Sequence, residues 1–225
     1  DTSKKKATVV GSDEKKNATV GGSPIVEAEN SPAVTTTADK NTSQAIIKKA
    51  NELAGKTTGV VNPIYSSADV TLTPAVLKEL NNWEKTNNRT LAISYDTYVP
   101  KTAGVQGRMT VLPSRLVDQK EEITVEVFNK SDNVTRVKKL FESWFSNDLE
   151  VLELKTTNTL DGYVDIAARI RLVDLDKDSL VFYTYDAKEN TYSLQENLKY
   201  SIDKNGYVHF TTKGDFVIVT DKNLA

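Results

Sequence analysis

The sequence predicts a mainly β protein with a few helices, an α+β chain of β-sandwich-like architecture, and three observations carry that prediction. From residue 149 onward, short runs rich in Val, Ile, Tyr, Phe and Thr alternate with turn residues. No proline follows Pro113, as expected of strands whose every N–H enters a ladder. Only three stretches place apolar residues at the 3, 4 and 7 spacings of a buried helical stripe.

The elements follow in order. Residues 1–42 contain none of the 17 aromatic residues, and their charges cancel, so they cannot bury enough apolar surface to offset ordering entropy. They read as a disordered or linker segment, with a strand-bearing arm at Ala7–Val10 or Pro24–Val26 as the alternative. A first helix is expected from about Ser43, with Ile46, Ile47, Ala50 and Leu53 on one stripe and Gly55 as its stop. A loop holding Asn62-Pro63 and a strand at Asp69–Thr73 lead to Thr73-Pro74, which opens a second helix with Val76, Leu80 and Trp83 on one face. Strands are expected at Leu91–Tyr95, Arg108–Leu112 and Ile123–Phe128. A third helix is expected at Asp132–Phe145, with Val137, Leu140, Phe141 and Trp144 in its stripe. Strands then follow at Leu149–Leu154, Gly162–Val173, Leu180–Tyr185, Tyr192–Leu194, Tyr200–Ile202, Tyr207–Thr212 and Phe216–Thr220. Asp186–Asn190 and Asp203–Gly206 provide turns, the second with Asn-Gly where positive φ is needed. Val76 to Trp83 can be laid on Val137 to Trp144 with matching Val and Trp. A duplicated helix-then-strands unit would give two lobes, each with one helix, at 43–130 and 131–225.

Composition excludes several kinds of chemistry. With no cysteine there are no disulfides, thiolate metal sites or cysteine nucleophiles, and one histidine, His209, cannot supply two imidazoles to a metal. Lys+Arg 29 against Asp+Glu 31 argues against a protein that tracks nucleic-acid phosphates. No apolar run approaches a membrane span, and no charged-then-apolar leader opens the chain, so a cytoplasmic protein or a removed signal peptide is expected. No phosphate-binding glycine loop, HExxH or GxSxG motif is found, and Asp174–Ser179 lacks the glycine and the final glutamate of a calcium loop. The chain therefore reads as a non-enzyme without metal or cofactor.

The aromatics are the best lead. Sugar rings present apolar C–H faces that stack on Tyr or Trp, while Asn, Asp, Lys and Arg bind the hydroxyls. Tyr95 and Tyr98 flank Asp96-Thr97 at a strand end, and Arg108 lies just past the loop that follows. Strand-end loops carry function disproportionately. Trp83, Trp144 and Tyr65 complete the candidate ligand-binding set, and Tyr183, Tyr185 and Tyr192 can line one face of a hairpin. The competing reading is that tyrosines in sheets pack at the core edge with the hydroxyl wet.

The stretches Leu180–Tyr192, Tyr200–Phe210 and Gly214–Ile218 resemble the closing strands of β-sandwich modules in large extracellular proteins of Gram-positive gut bacteria. Thr71–Leu77 is similar to the helix-bearing start of such modules. With Phe141–Asn147 in its middle, the part from 43 to 225 resembles non-catalytic starch-binding modules of the ruminococcal starch adherence system, the amylosome. That resemblance implies a secreted or cell-surface module that binds α-1,4-glucan in a groove between two lobes. It also implies a monomer tethered to a larger assembly, with polysaccharide rather than nucleic acid or membrane as partner. No dockerin calcium repeat is present, so tethering would use another segment. A structural spacer or adhesion module is the alternative function, and a hydrolase is a third.

Overall fold

The computed structural model describes residues 8–10, 39–66, 71–98, 105–145, 148–156 and 158–221. The elements are β1 (Thr8–Val10), α1 (Asp39–Ala54), β2 (Ile64–Ser66), α2 (Pro74–Asn87), β3 (Ile93–Tyr98), β4 (Val105–Val111), β5 (Val125–Phe128), α3 (Asp132–Trp144), β6 (Glu150–Thr156), β7 (Val164–Arg169), β8 (Leu180–Asp186), β9 (Thr191–Gln195), β10 (Ser201–Ile202), β11 (Tyr207–Thr212) and β12 (Phe216–Asp221). The expected class, mainly β with a few helices and sandwich-like, is what is found.

Helices α2 and α3 start where local chemistry satisfies their free N–H groups. At α2 the Thr73 hydroxyl accepts from the Val76 N–H at 3.1 Å, and Pro74 occupies the first turn. Asn88, in the left-handed region at φ 50°, closes it. The Ser131 hydroxyl caps α3 in the same way, accepting from Val134 N–H at 3.0 Å. Thr73→Ala should therefore lower stability by about 1 kcal/mol, read as the shift in a urea-unfolding midpoint at unchanged slope. The turns are closed by carboxylates. Asp186 Oδ1 accepts from Lys188 and Glu189 N–H, and Asp203 Oδ1 accepts from Asn205 and Tyr207 N–H, with Gly206 at φ 86°.

The strands form two six-stranded sheets, β1-β9-β8-β12-β6-β5 and β10-β11-β7-β4-β3-β2. Their facing sides share one core, in which Phe182 of β8 meets Phe210 of β11 at 4.8 Å and Val217, Leu152, Met109 and Ile166 are sealed. Helices α1 and α2 pack together, and their Ile46, Ala50, Leu80 and Trp83 join that core. Helix α3 lies on the outer face of the first sheet, over Val151, Tyr185, Tyr192 and Ile218.

The expected lobes at 43–130 and 131–225 are corrected here. β5 pairs with β6 in the first sheet and β4 with β7 in the second, so each sheet draws strands from both sides of the boundary. The first stretch carries α1 and α2, not one helix. The reason is that ladder hydrogen bonds and apolar burial are satisfied between neighbours in space, whatever their separation in the chain. The two helices of the apparent repeat also serve different layers. Within the expected linker, Thr8–Val10 pairs in parallel with β9 and α1 begins at Asp39, while 1–7 and 11–38 lie outside the described residues. Of the strand expected at Asp69–Thr73, Asp69 and Val70 also lie outside them, and Thr71–Thr73 form no strand but a single isolated bridge from Leu72 to Ile123. The loop expected around Asn62-Pro63 holds β2, which pairs in parallel with β3. A three-residue strand has too few positions to show a period.

One close approach tests the fold. At Gly162, just before β7, a Cβ would collide with the Arg115 carbonyl oxygen and come within 2.8 Å of Leu116 Cδ2. The first obstacle is backbone and cannot rotate away. Gly162→Ala should cost about 1–3 kcal/mol by overpacking, and a neutral result in urea unfolding would show that the two loops are not in contact.

Candidate functional site

Four of the six expected binding residues are removed from solvent. Tyr65 of β2 and Tyr95 of β3 are cross-strand partners, each 2% exposed. Loss of hydration pushes the Tyr65 phenol up to about 12 and the Tyr95 phenol up as well, the latter reinforced by its neighbour Tyr65. Trp83 is buried and its Nε1–H donates to Asn51 Oδ1 of α1 at 2.9 Å. None of these rings offers a face to a ligand. Arg108 points to the opposite side of the second sheet and is engaged with Asp96, Nε to Oδ1 at 2.6 Å and Nη2 to Oδ2 at 3.0 Å. The side chain of Tyr98 lies outside the described residues. The sixth, Trp144, is half-buried and remains in play.

That opposite side of the second sheet is polar and internally matched. Arg115 meets Asp165 at 2.9 Å, and Thr211 donates to the same carboxylate oxygen at 3.1 Å. His209 meets Asp203 at 2.7 Å. Arg169 stacks over the Tyr207 ring at 4.7 Å and donates to its hydroxyl, which in turn donates to the Val105 carbonyl. His209 thus helps hold the β10–β11 hairpin, with an acid beside it.

The aromatic residues that converge lie on the outer face of the first sheet. Antiparallel pairing of β8 with β9 sets Tyr185 opposite Tyr192, and two-residue alternation puts Tyr183 on the same face. The tyrosine hairpin face expected from sequence is therefore formed. Over it sits the C-terminal turn of α3. Phe141 meets Tyr185 edge-on at 5.1 Å, Phe145 lies 6.1 Å from Tyr183, and Trp144 lies 6.4 Å from Tyr192. Phe141, Phe145, Tyr185 and Tyr192 are buried, whereas Trp144 and Tyr183 are half-buried and form the uncovered edge of the cluster. Burial raises the Tyr183 and Tyr192 phenols.

No protein-family model, curated protein or solved structure matches this chain.

Beside the aromatic cluster, and sharing Tyr185 with it, is a groove of about 720 Å³. The β8–β9 turn contributes Asp186, Lys188 and Thr191, and Asn158 and Asp215 also line it. Tyr185 donates to Asn190 Oδ1 at 2.9 Å, which fixes its ring beneath Phe141. Burial raises the Asp215 carboxyl, and the nearby Asp186 charge adds to the effect. The groove is lined mainly by polar side chains that can donate or accept hydrogen bonds.

Among the described residues no trio of His, Asp or Glu is placed to hold a metal ion, and no helix is long and apolar enough to cross a membrane. The carboxylates of Asp174–Ser179 serve their own turn. Asp176 accepts from the Asp178 N–H and from the Ser179 hydroxyl at 2.7 Å, and Asp221 accepts from the Asp176 N–H.

The alternation Ile93-Ser94-Tyr95-Asp96 already assigns Tyr95 to the apolar side of its strand, a signal that the strand-end argument passes over. What no local pattern carries is that α3 lays Trp144 and Phe145 over the β8–β9 tyrosines.

Proposed function

We propose that this chain is a non-catalytic module of an extracellular protein that binds polysaccharide, α-1,4-glucan being the class its sequence resemblance implies. The observation that carries the reading is the pair of half-buried rings, Trp144 and Tyr183, backed by buried rings, with a polar groove at the same end of β8. Rigid rings held by their neighbours lose little entropy on stacking against a sugar face, and the groove supplies hydroxyl partners. Such an edge is small, so each module binds weakly and attachment depends on several modules acting together.

Retardation of the intact chain in a native gel containing amylopectin tests this. Trp144→Ala and Tyr183→Ala should each reduce retardation at least tenfold in apparent affinity while far-UV circular dichroism stays unchanged. Unchanged mobility of the intact chain across amylopectin, amylose and cellulose would end the proposal.

A second reading is a structural spacer or adhesion module. It is favoured by the burial of Tyr65, Tyr95 and Trp83 and by the internal pairing of Arg108. In that case Trp144 and Tyr183 serve only to seat α3, and their substitution lowers stability with no glycan effect to lose.

A further inference from the structure

We propose that a second surface of this chain, distinct from the Trp144–Tyr183 edge, binds an anionic polysaccharide, a glycan bearing carboxylate or phosphate groups. A groove of about 490 Å³ runs along α3 where the helix meets the strands beneath it. Five cationic side chains line it: Lys130 before the helix, Lys138 and Lys139 on it, and Arg169 and Arg171 at the exit of β7. Among the described residues two carboxylates line it, Glu142 and Glu150, and Glu150 and Lys138 neutralise each other at 3.0 Å. This positive excess stands out in a chain whose net charge is −2.

The geometry suits a polymer more than a small ion. Lining positions on the helix run from Val134 to Glu142, and eight residues at the α-helical rise give a path of about 12 Å. Lys130, Lys139 and Arg171 are exposed, so their charges stand along the path, while the Arg169 guanidinium is engaged by Tyr207. Arg171 has one weak partner, Asp174 at 3.6 Å, with both side chains more than half exposed, a contact an anionic chain can displace at little cost. Val134, Val151 and Ile170 are buried beneath the groove, so its accessible surface is chiefly the charged side chains. Charge attracts the polymer, and that attraction is screened beyond about 10 Å at 0.1 M salt.

Fluorescence anisotropy with labelled oligogalacturonate tests the proposal on the full chain, with a labelled malto-oligosaccharide as the neutral arm and unlabelled inorganic polyphosphate as competitor. The expected result is binding that weakens with salt and weakens at least tenfold in Lys130→Gln/Lys139→Gln/Arg171→Gln. The control Lys48→Gln/Lys78→Gln/Lys85→Gln removes the same charge elsewhere and should leave binding unchanged. Competition by polyphosphate at equal charge would show that the site accepts phosphate as well as carboxylate groups, and its failure would confine it to carboxylate-bearing glycans. No binding of oligogalacturonate, or an equal loss in the control, overturns the proposal. Because the neutral arm reads the Trp144–Tyr183 edge, failure there leaves this result intact, and the reverse also holds.

Discussion

Replacing Phe141 with alanine should cost about 3–5 kcal/mol, the range for emptying a fully buried aromatic site. Phe141 is 0% exposed, and its ring centroid lies 5.0 Å from Trp144, 5.6 Å from Phe145, 5.1 Å from Tyr185 and 6.1 Å from Tyr192. It is the ring around which the others arrange, so its loss removes hydrophobic burial and four edge or tilted ring contacts together. The cavity would lie beneath the helix and above a sheet that cannot move toward it without breaking its ladder. Collapse would have to come from α3, and it would carry Trp144 away from Tyr192. Two readouts check this. The urea-unfolding midpoint should fall, and the near-ultraviolet circular dichroism of the tyrosine cluster should weaken before the main transition. A loss below about 1 kcal/mol would mean that the helix end is not seated on the sheet as described. The functional consequence is that glycan retardation should fall in Phe141→Ala although Phe141 itself offers no face to a ligand.

Removing the carboxylate of Asp96 should be equally damaging for a different reason. The Asp96 side chain is 0% exposed and that of Arg108 10% exposed, joined by two hydrogen bonds in the forked geometry that suits guanidinium and carboxylate. Asp96→Ala leaves a cation largely out of water with its partner gone, and breaking such a pair costs about 3–5 kcal/mol. The double replacement Asp96→Ala/Arg108→Met should recover most of that loss, since the penalty belongs to the orphaned charge. Urea unfolding of the two single variants and the double variant gives the coupling energy directly. A single-variant loss under about 1 kcal/mol, the scale of a solvent-exposed pair, would show that this face of the second sheet is open to water. The same arithmetic explains why Arg108 is unavailable to a ligand. A sugar hydroxyl would have to replace a bidentate charge-assisted bond with a neutral one.

Much of the local structure is written in short-range signals. Thr73-Pro74 and Ser131 mark helix starts because a side-chain oxygen can reach an N–H three residues on. Asp186–Asn190 and Asp203–Gly206 mark turns because Asp can bind the backbone two residues later and because Asn190 and Gly206 accept positive φ. Tyr183, Tyr185 and Tyr192 share a face because strand alternation and a tight turn leave no other arrangement. The binding residues were harder, since Trp83 and Trp144 occupy the same place in nearly the same helical pattern. One is sealed against α1 with its indole N–H bonded to Asn51, and the other stands half-open over β9.

Short-range signals were enough for the class, the three helices of the described residues, most of their strands and turns, and the residues that share each face, because those depend on periods and caps spanning a few positions. The tertiary structure alone decided the order of the strands, the interleaving of the two halves in both sheets, and which rings meet water. Those outcomes rest on pairings between residues far apart in the chain. There, ladder register and the mutual covering of apolar faces are settled for all elements at once, and no local window contains the information.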